Sequence, residues 1–419
     1  MIVTVRPPEP IAPLSDSLPS VAARFAGAID EPSIAVQFSV YDSVRDIDAA
    51  EWNSILTPGN DPFMELGFIE AVENSMRSDC RLKYVVVRDR HGRTIATACL
   101  SAYTIDGASL AQGSAKTLCL AIGRVWPWLM KHTMVICGLP ISSGDSQLRF
   151  APNADRASVL AILDRLACEF AKAEGARLIL FKDFKAEACR DLESLESFGY
   201  RRADSYPMNC ATTRYRDFED YLSQVKSKRR RMLKASLKKF AKGGFRVVTL
   251  TGREGAADLY TDEVHRLYEN VRLRSKVQFE RLPAEYFREL ARRLPDNTSF
   301  IYVYRGDQPV AFAASMFGDK SYHGLMLGID YEINREYDLY FNMLFKSLDV
   351  GFRLGAHDIE LGQTSDSTKH GKLDIYQTPL SLYVKGGRST ARAALKVSFS
   401  LLFPPRPITY EREEEDNEE

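Results

Sequence analysis

The stretch Ile359 to Leu373, IELGQTSDSTKHGKL, begins as a short apolar strand and turns polar at Gly362. Gln363, Thr364, Ser365, Lys369, His370 and Lys372 follow, so hydrogen-bonding, cationic and proton-carrying groups crowd into one loop. Ligands in α/β sheets bind beyond the carboxyl ends of strands, which is where this loop would stand. An exposed His370 would move a proton near neutral pH. The plainer readings are a surface histidine and, at Lys372, a solvated charge. In ENVRLRSKVQFE, Arg272 and Arg274 are placed either to bind an anionic substrate or to pair with Glu269 and Glu280. No Ser-His-Asp order, Walker loop, HExxH helix or paired-cysteine site is found, so hydrolase, NTPase and metalloenzyme readings lack a motif and no metal is expected.

The elements that must position these groups repeat along the chain. LKYVVVRDRHGRTIATACLSAYT and TSFIYVYRGDQPVAFAASMFGDK each give a strand, a polar turn with a glycine, and a second strand. A helical stretch precedes each: PFMELGFIEAVENS, with Phe63, Leu66, Ile69, Ala71 and Val72 near helical spacing, and LPAEYFRELARRL, with Tyr286, Leu290 and Leu294. After each comes an amphipathic helix, a glycine suited to a left-handed C-cap (Gly175, Gly355) and another apolar strand. Two matched α-β-β…α-β units predict duplicated α/β domains, each a mixed sheet flanked by helices. The expected division is a loosely ordered lead at 1–33, a first domain at 34–212, a second at 213–402, and an acidic tail at 403–419.

QVKSKRRRMLKASLKKFAKGG predicts a basic helix over 222–242. Lys226, Arg230, Lys234 and Lys238 recur at i,i+4 to form a cationic stripe, and Leu222, Val225, Met232, Leu233, Leu237 and Phe240 supply a buried side. Such a stripe is either a solvated helix face or an attractor for a phosphate-bearing substrate, with Lys226, Arg230 and Lys234 as candidate contacts. The 56 basic residues balance the 56 acidic ones, so the chain as a whole predicts no polyanionic partner and DNA binding is not expected. The seven scattered cysteines read as reduced thiols of a cytoplasmic protein. No apolar run of about 18 residues predicts a transmembrane helix, although peripheral contact with anionic lipid stays open. The N-terminus lacks the pattern of a secretion signal. Trp126, Pro127 and Trp128 read as packing within the first unit.

Three stretches carry a family resemblance: FEDYLSQVKSKRRRMLKASLKKFAKGGFRVV, LYENVRLRSKVQFERLPAEYFREL and LGQTSDSTKHGKLDIYQTPLSLYVKG. With the duplicated plan, they make residues 36–390 resemble the GNAT acyltransferase superfamily, in its Fem-like branch with two GNAT-like units per chain. The resemblance implies an N-acyltransferase moving an acyl or aminoacyl group from a thioester or ester donor to an amine, and no permanently bound cofactor. Acyl-CoA, an acyl-carrier protein and an aminoacyl-tRNA are the donor alternatives, and the acceptor is a small molecule or a precursor. Two alternatives stay open: a non-catalytic GNAT-fold binding protein for a cell-wall or lipid-linked precursor, and a tRNA-dependent aminoacyl ligase. Lys369 aligns with the lysine of the family pattern, which implies a role in neutralising a phosphate or a developing oxyanion. Tyr322 and His323 fall on the strand that lines acceptor sites, and Asp330 after it is a carboxylate for orienting an amine. One departure stands out: the Q/R-x-x-G-x-G/A run that holds coenzyme A pyrophosphate is absent from NREYDLYFNMLF, and PISSGDSQLRF offers only Ser142, Ser143 and Gly144. A degenerate cofactor site or a carrier-bound donor is therefore expected.

Overall fold

The computed structural model describes residues 25–29, 36–56, 62–106, 131–141, 148–275, 280–364 and 366–411. Ser365, the Ser142 to Gly144 turn, Trp126 to Trp128 and residues 412–419 lie outside this set, as does most of the expected lead. The first half supplies β1 (Phe25–Ile29), β2 (Val36–Tyr41), helix α1 (Leu66–Met76), β3 (Cys80–Arg88), β4 (Thr94–Asp106), β5 (Lys131–Cys137), β6 (Leu148–Phe150), α2 (Arg156–Ala173), β7 (Leu178–Phe184), β8 (Arg201–Asp204) and β9 (Met208–Ala211). Next come α3 (Phe218–Gln224), α4 (Ser227–Ala241), β10 (Arg246–Thr251), α5 (Asp262–Arg274), α6 (Ala284–Arg293), β11 (Thr298–Arg305), β12 (Gln308–Phe317) and β13 (Ser321–Ile329). The chain continues with α7 (Tyr331–Tyr337), α8 (Leu339–Arg353), β14 (Asp358–Glu360), α9 (Asp366–Lys372), β15 (Ile375–Thr378), β16 (Ser381–Gly386) and α10 (Ser389–Leu402).

The duplicated plan is present element by element. The hairpins β3–β4 and β11–β12 are both antiparallel and turn through left-handed glycines, Gly92 and Gly306. Helices α2 and α8 each end on a left-handed glycine, Gly175 and Gly355, before returning the chain to a sheet as β7 and β14. The equivalent helices α1 and α6 pack against each other. A Cβ on Gly67 would come within 2.7 Å of the Arg293 carbonyl oxygen, so only glycine permits this approach. Their apolar stripes (Phe68, Ile69 and Val72; Phe287, Leu290 and Leu294) join one core that includes Tyr84 of β3 and Phe300 of β11.

The two sheets exchange strands across the middle of the chain. One runs β1-β2-β3-β4-β5-β7-β16-β8, with β6 beside β4, and the other β10-β11-β12-β13-β14-β9-β15. Thus β9, which precedes residue 213, belongs to the second sheet, and β16 is inserted between β7 and β8 of the first. The links β8–β9 and β15–β16 cross between the sheets side by side, joined by Ser205 N donating to Leu380 O at 2.9 Å.

Three expectations need correction. Within the lead, Phe25–Ile29 pairs antiparallel with β2 and extends the sheet edge. The described part of the tail is tied to β15: FPPRPITY precedes the acidic run, and Gln377 N donates to Tyr410 O at 2.8 Å. The basic helix is interrupted at Val225 and Lys226, where extended backbone (ψ 152° and 141°) separates α3 from α4. Met232, expected on the buried side, is 37% exposed.

Candidate active site

Strands β13 and β14 pair in parallel over three positions: Ser321 with Asp358, Tyr322 with Ile359, and His323 with Glu360. Beyond that point β13 continues to Ile329, whereas Gly362, at φ +83°, swings the other chain away. That backbone conformation favours glycine, so the residue type fixes where the strands part. A β-bulge sits at the same place, with Ala314 opposite Met326 but Ser315 opposite Gly324, leaving Leu325 as the extra residue. A cavity of about 620 Å³ opens from this gap and extends between the two sheets. Residues of both units line it, including Leu178, Leu180 and Lys182 of β7, and His323, Leu325 and Met326 of β13.

Charged groups gather where β7 and β14 end. His323 Nδ1 lies 3.0 Å from Glu360 Oε2, and Lys185 Nζ is 3.1 Å from Glu360 Oε1. Burial alone would push the Glu360 carboxyl up. The hydrogen bond and charge of His323, with Lys185, outweigh it and hold the carboxyl at about 2. Where His323 donates its Nδ1 proton to Glu360, Nε2 is the ring nitrogen left to act on a ligand, and His323 lines the cavity wall. Phe63 meets the imidazole edge-on at 4.8 Å and restricts its orientation.

Asp183 adds a second carboxylate beside this pair. It adopts φ +66°, an uncommon conformation for a non-glycine residue. Its side chain is held by Lys182 at 2.7 Å, by Gln363 Nε2 at 3.1 Å, and by the Ser205 hydroxyl. Glu280 also lines the cavity; burial raises its pKa, Asp183 adds to this, and Lys182 opposes it.

The predicted residues divide into those at the cavity and those elsewhere. His323, Gln363, Thr364, Lys369 and Arg272 line it. Lys369 is buried, its ammonium donating to the Leu361 carbonyl and lying 3.5 Å from Gly362 O, so it braces the loop after β14. Arg272 is paired with Glu269 at 2.6 Å. Tyr322 faces the other way, fully buried, with its hydroxyl 2.7 Å from Ser347 Oγ. Asp330, expected to orient an amine, instead caps α7 by accepting from Glu332 N at 2.8 Å. His370 stacks on Tyr410 with ring centroids 3.6 Å apart, and Arg274 lies over the Tyr331 ring. On the basic segment, Lys226 and Lys234 are exposed, while Arg230 donates to the Ser223 and Val225 carbonyls at the α3–α4 break. None of Tyr322, Asp330, His370, Arg274, Lys226, Arg230 and Lys234 is among the residues lining the cavity.

Sequence reasoning passed over Glu360, Lys182, Asp183, Lys185 and Glu280. A charged residue inside the apolar run DIEL, and the cluster FKDFK ending an apolar strand, were the available signals. Where coenzyme A pyrophosphate would meet a helix start, Asp338 precedes α8, paired with Lys372 at 2.8 Å and with Ser236 at 2.8 Å. Burial raises its pKa, but Lys372 and Ser236 outweigh that, so an anion already stands there. Among the described residues there is no cluster able to hold a metal ion, and no helix long and apolar enough to cross a membrane.

Comparison with known proteins gives a consistent frame. The model of the FemAB-like family, described as peptidoglycan biosynthesis/recognition, matches residues 123–367. No curated protein sequence matches significantly. Among solved structures, FemX aligns with TM-score 0.50 at 12% identity, over 80% of this chain and 96% of its own. The C-terminal domain of a putative lysylphosphatidylglycerol synthetase from Agrobacterium fabrum aligns with TM-score 0.48 at 14% identity, over 86% and 98%. A tandem GNAT protein from the clavulanic acid pathway aligns with TM-score 0.46 at 11% identity, over 84% and 99%. The likeness to FemX is one of fold, and two helix-flanked mixed sheets are the tandem GNAT-like plan that the resemblance implied.

Proposed function

This chain belongs to the FemAB-like family of peptidoglycan biosynthesis and recognition, and on that premise we propose that it is a transferase moving an acyl or aminoacyl group to an amine. The observation that carries the reading is the His323–Glu360 pair on the wall of a cavity between parting strands. His323 removes a proton from the acceptor nitrogen through Nε2 as that nitrogen attacks the donor carbonyl. The carbonyl π electrons move to oxygen, and the backbone at the Leu325 bulge, where the register shifts, is the position from which an amide would stabilise the oxyanion. Collapse breaks the C–O or C–S bond to the donor and leaves the new C–N bond. The imidazolium returns its proton to the departing oxygen or sulfur, and Glu360 stabilises the imidazolium meanwhile. An ester or thioester borne on a macromolecular carrier fits better than coenzyme A, because Asp338 stands at the helix start where a pyrophosphate would bind.

The test is product analysis. The protein is incubated with an amine-bearing muropeptide precursor and, in turn, acyl-carrier protein, aminoacyl-tRNA and acyl-CoA donors, with and without ribonuclease. A new amide is expected from wild type and not from His323→Ala. Tight precursor binding with no amide from any donor would make the protein a recognition module and overturn the proposal.

A further inference from the structure

The cavity carries both charged and apolar lining, with Arg272, Glu280, Asp204 and Arg406 on its wall besides the group named next. At one end stand His323, Glu360, Lys182 and Asp183, and from there β7 runs back through Leu180 to Leu178. Facing these are Leu325 and Met326 of β13, with Leu382 of β16 alongside. Leu178, Leu325, Met326 and Leu382 lie on strands well inside the two sheets, yet each is only partly buried, because among the described residues the cavity stays open beside them. Apolar surface left open inside a fold, leading away from a polar catalytic end, has the shape of a site for an amphiphile.

Resting on the transferase reading above, we propose that the hollow between the two sheets receives the unbranched alkyl chain of a fatty-acyl donor, with its carbonyl at His323. The transferred group is then a medium-chain or longer acyl group, and the first unit serves as the wall that measures it. From Lys182 back to Leu178 the strand spans about 13 Å, enough for roughly ten carbons at a bond length of about 1.5 Å. A glycyl or acetyl group would leave this surface bare and gain nothing from it.

The experiment measures binding rather than transfer. S-acyl-N-acetylcysteamine thioesters from acetyl to dodecanoyl are titrated into the full-length protein by calorimetry. Each added methylene is expected to tighten Kd about fourfold until roughly ten carbons, then to stop. Met326→Trp, at a partly buried position, should shorten the preferred chain, and Leu178→Phe offers the same readout from another strand of the lining. Equal affinity for acetyl and dodecanoyl thioesters overturns the inference. Dodecyl phosphate binding more tightly than the dodecanoyl thioester would also overturn it, by giving the chain to a lipid-linked acceptor. His323→Ala should keep the chain-length series. If transfer depends on His323 but binding ignores chain length, the transferase reading stands and this inference fails.

Discussion

Replacing Glu360 by glutamine probes the buried pair that the chemistry depends on. Glu360 is 5% exposed, and its partners hold the carboxyl at about 2 rather than its ordinary 4.5. At about 1.4 kcal/mol for each pH unit, that depression corresponds to about 3 kcal/mol of stability. Removing one member of a buried ion pair typically costs about 3–5 kcal/mol, which agrees in size. The sign follows from the depressed folded value: the contribution is complete above about pH 4.5 and disappears as the pH falls towards about 2. Urea denaturation at pH 7 should therefore show Glu360→Gln less stable than wild type by about 3 kcal/mol, with an unchanged m-value. Repeated at descending pH, the two curves should converge between pH 4.5 and 2. Equal stability at pH 7, or a gap that persists to pH 2, would refute the placement of an ionised Glu360 between His323 and Lys185.

Asp330→Ala should cost about 1 kcal/mol through loss of the α7 cap and leave transfer unchanged, as checked by thermal melts and product yield. Lys369→Ala removes the ammonium that donates to the Leu361 carbonyl, while Gly362 O keeps its Asn209 donors, so it should destabilise by about 2 kcal/mol and slow transfer together. Lost transfer with full stability would instead give Lys369 a direct part in the chemistry. His370→Ala removes the stacking on Tyr410 and should leave the transfer rate at the wild-type value.

What was legible in the sequence followed from local physics. Strand alternation, turn glycines and helix C-caps act over a few residues, so the hairpins at 80–106 and 298–317 and the helix-glycine-strand steps ending at β7 and β14 could be read directly. The strand exchange could not. Nothing within MNCA or SLYVKG says that β9 and β16 pair in opposite sheets, because their partners lie far away along the chain. The site was legible in part for the same reason. His323 and the loop after Gly362 stood out, but recognising Glu360, Asp183 and Lys185 required knowing that the ends of β7 and β14 converge. Asp330 misled because a carboxylate after a strand serves equally well as a helix cap. The break in the basic helix was hidden because the apolar side read for it, with Leu222 and Val225 on one side and Leu233 and Leu237 on the other, spans Val225 and Lys226.

The most direct test of the central claim is the single-turnover rate of amide formation by wild type and His323→Ala under saturating donor and acceptor. Loss of a positioned base should slow the chemical step by about 10²–10⁴, with acceptor affinity unchanged. A wild-type rate in His323→Ala would contradict the account.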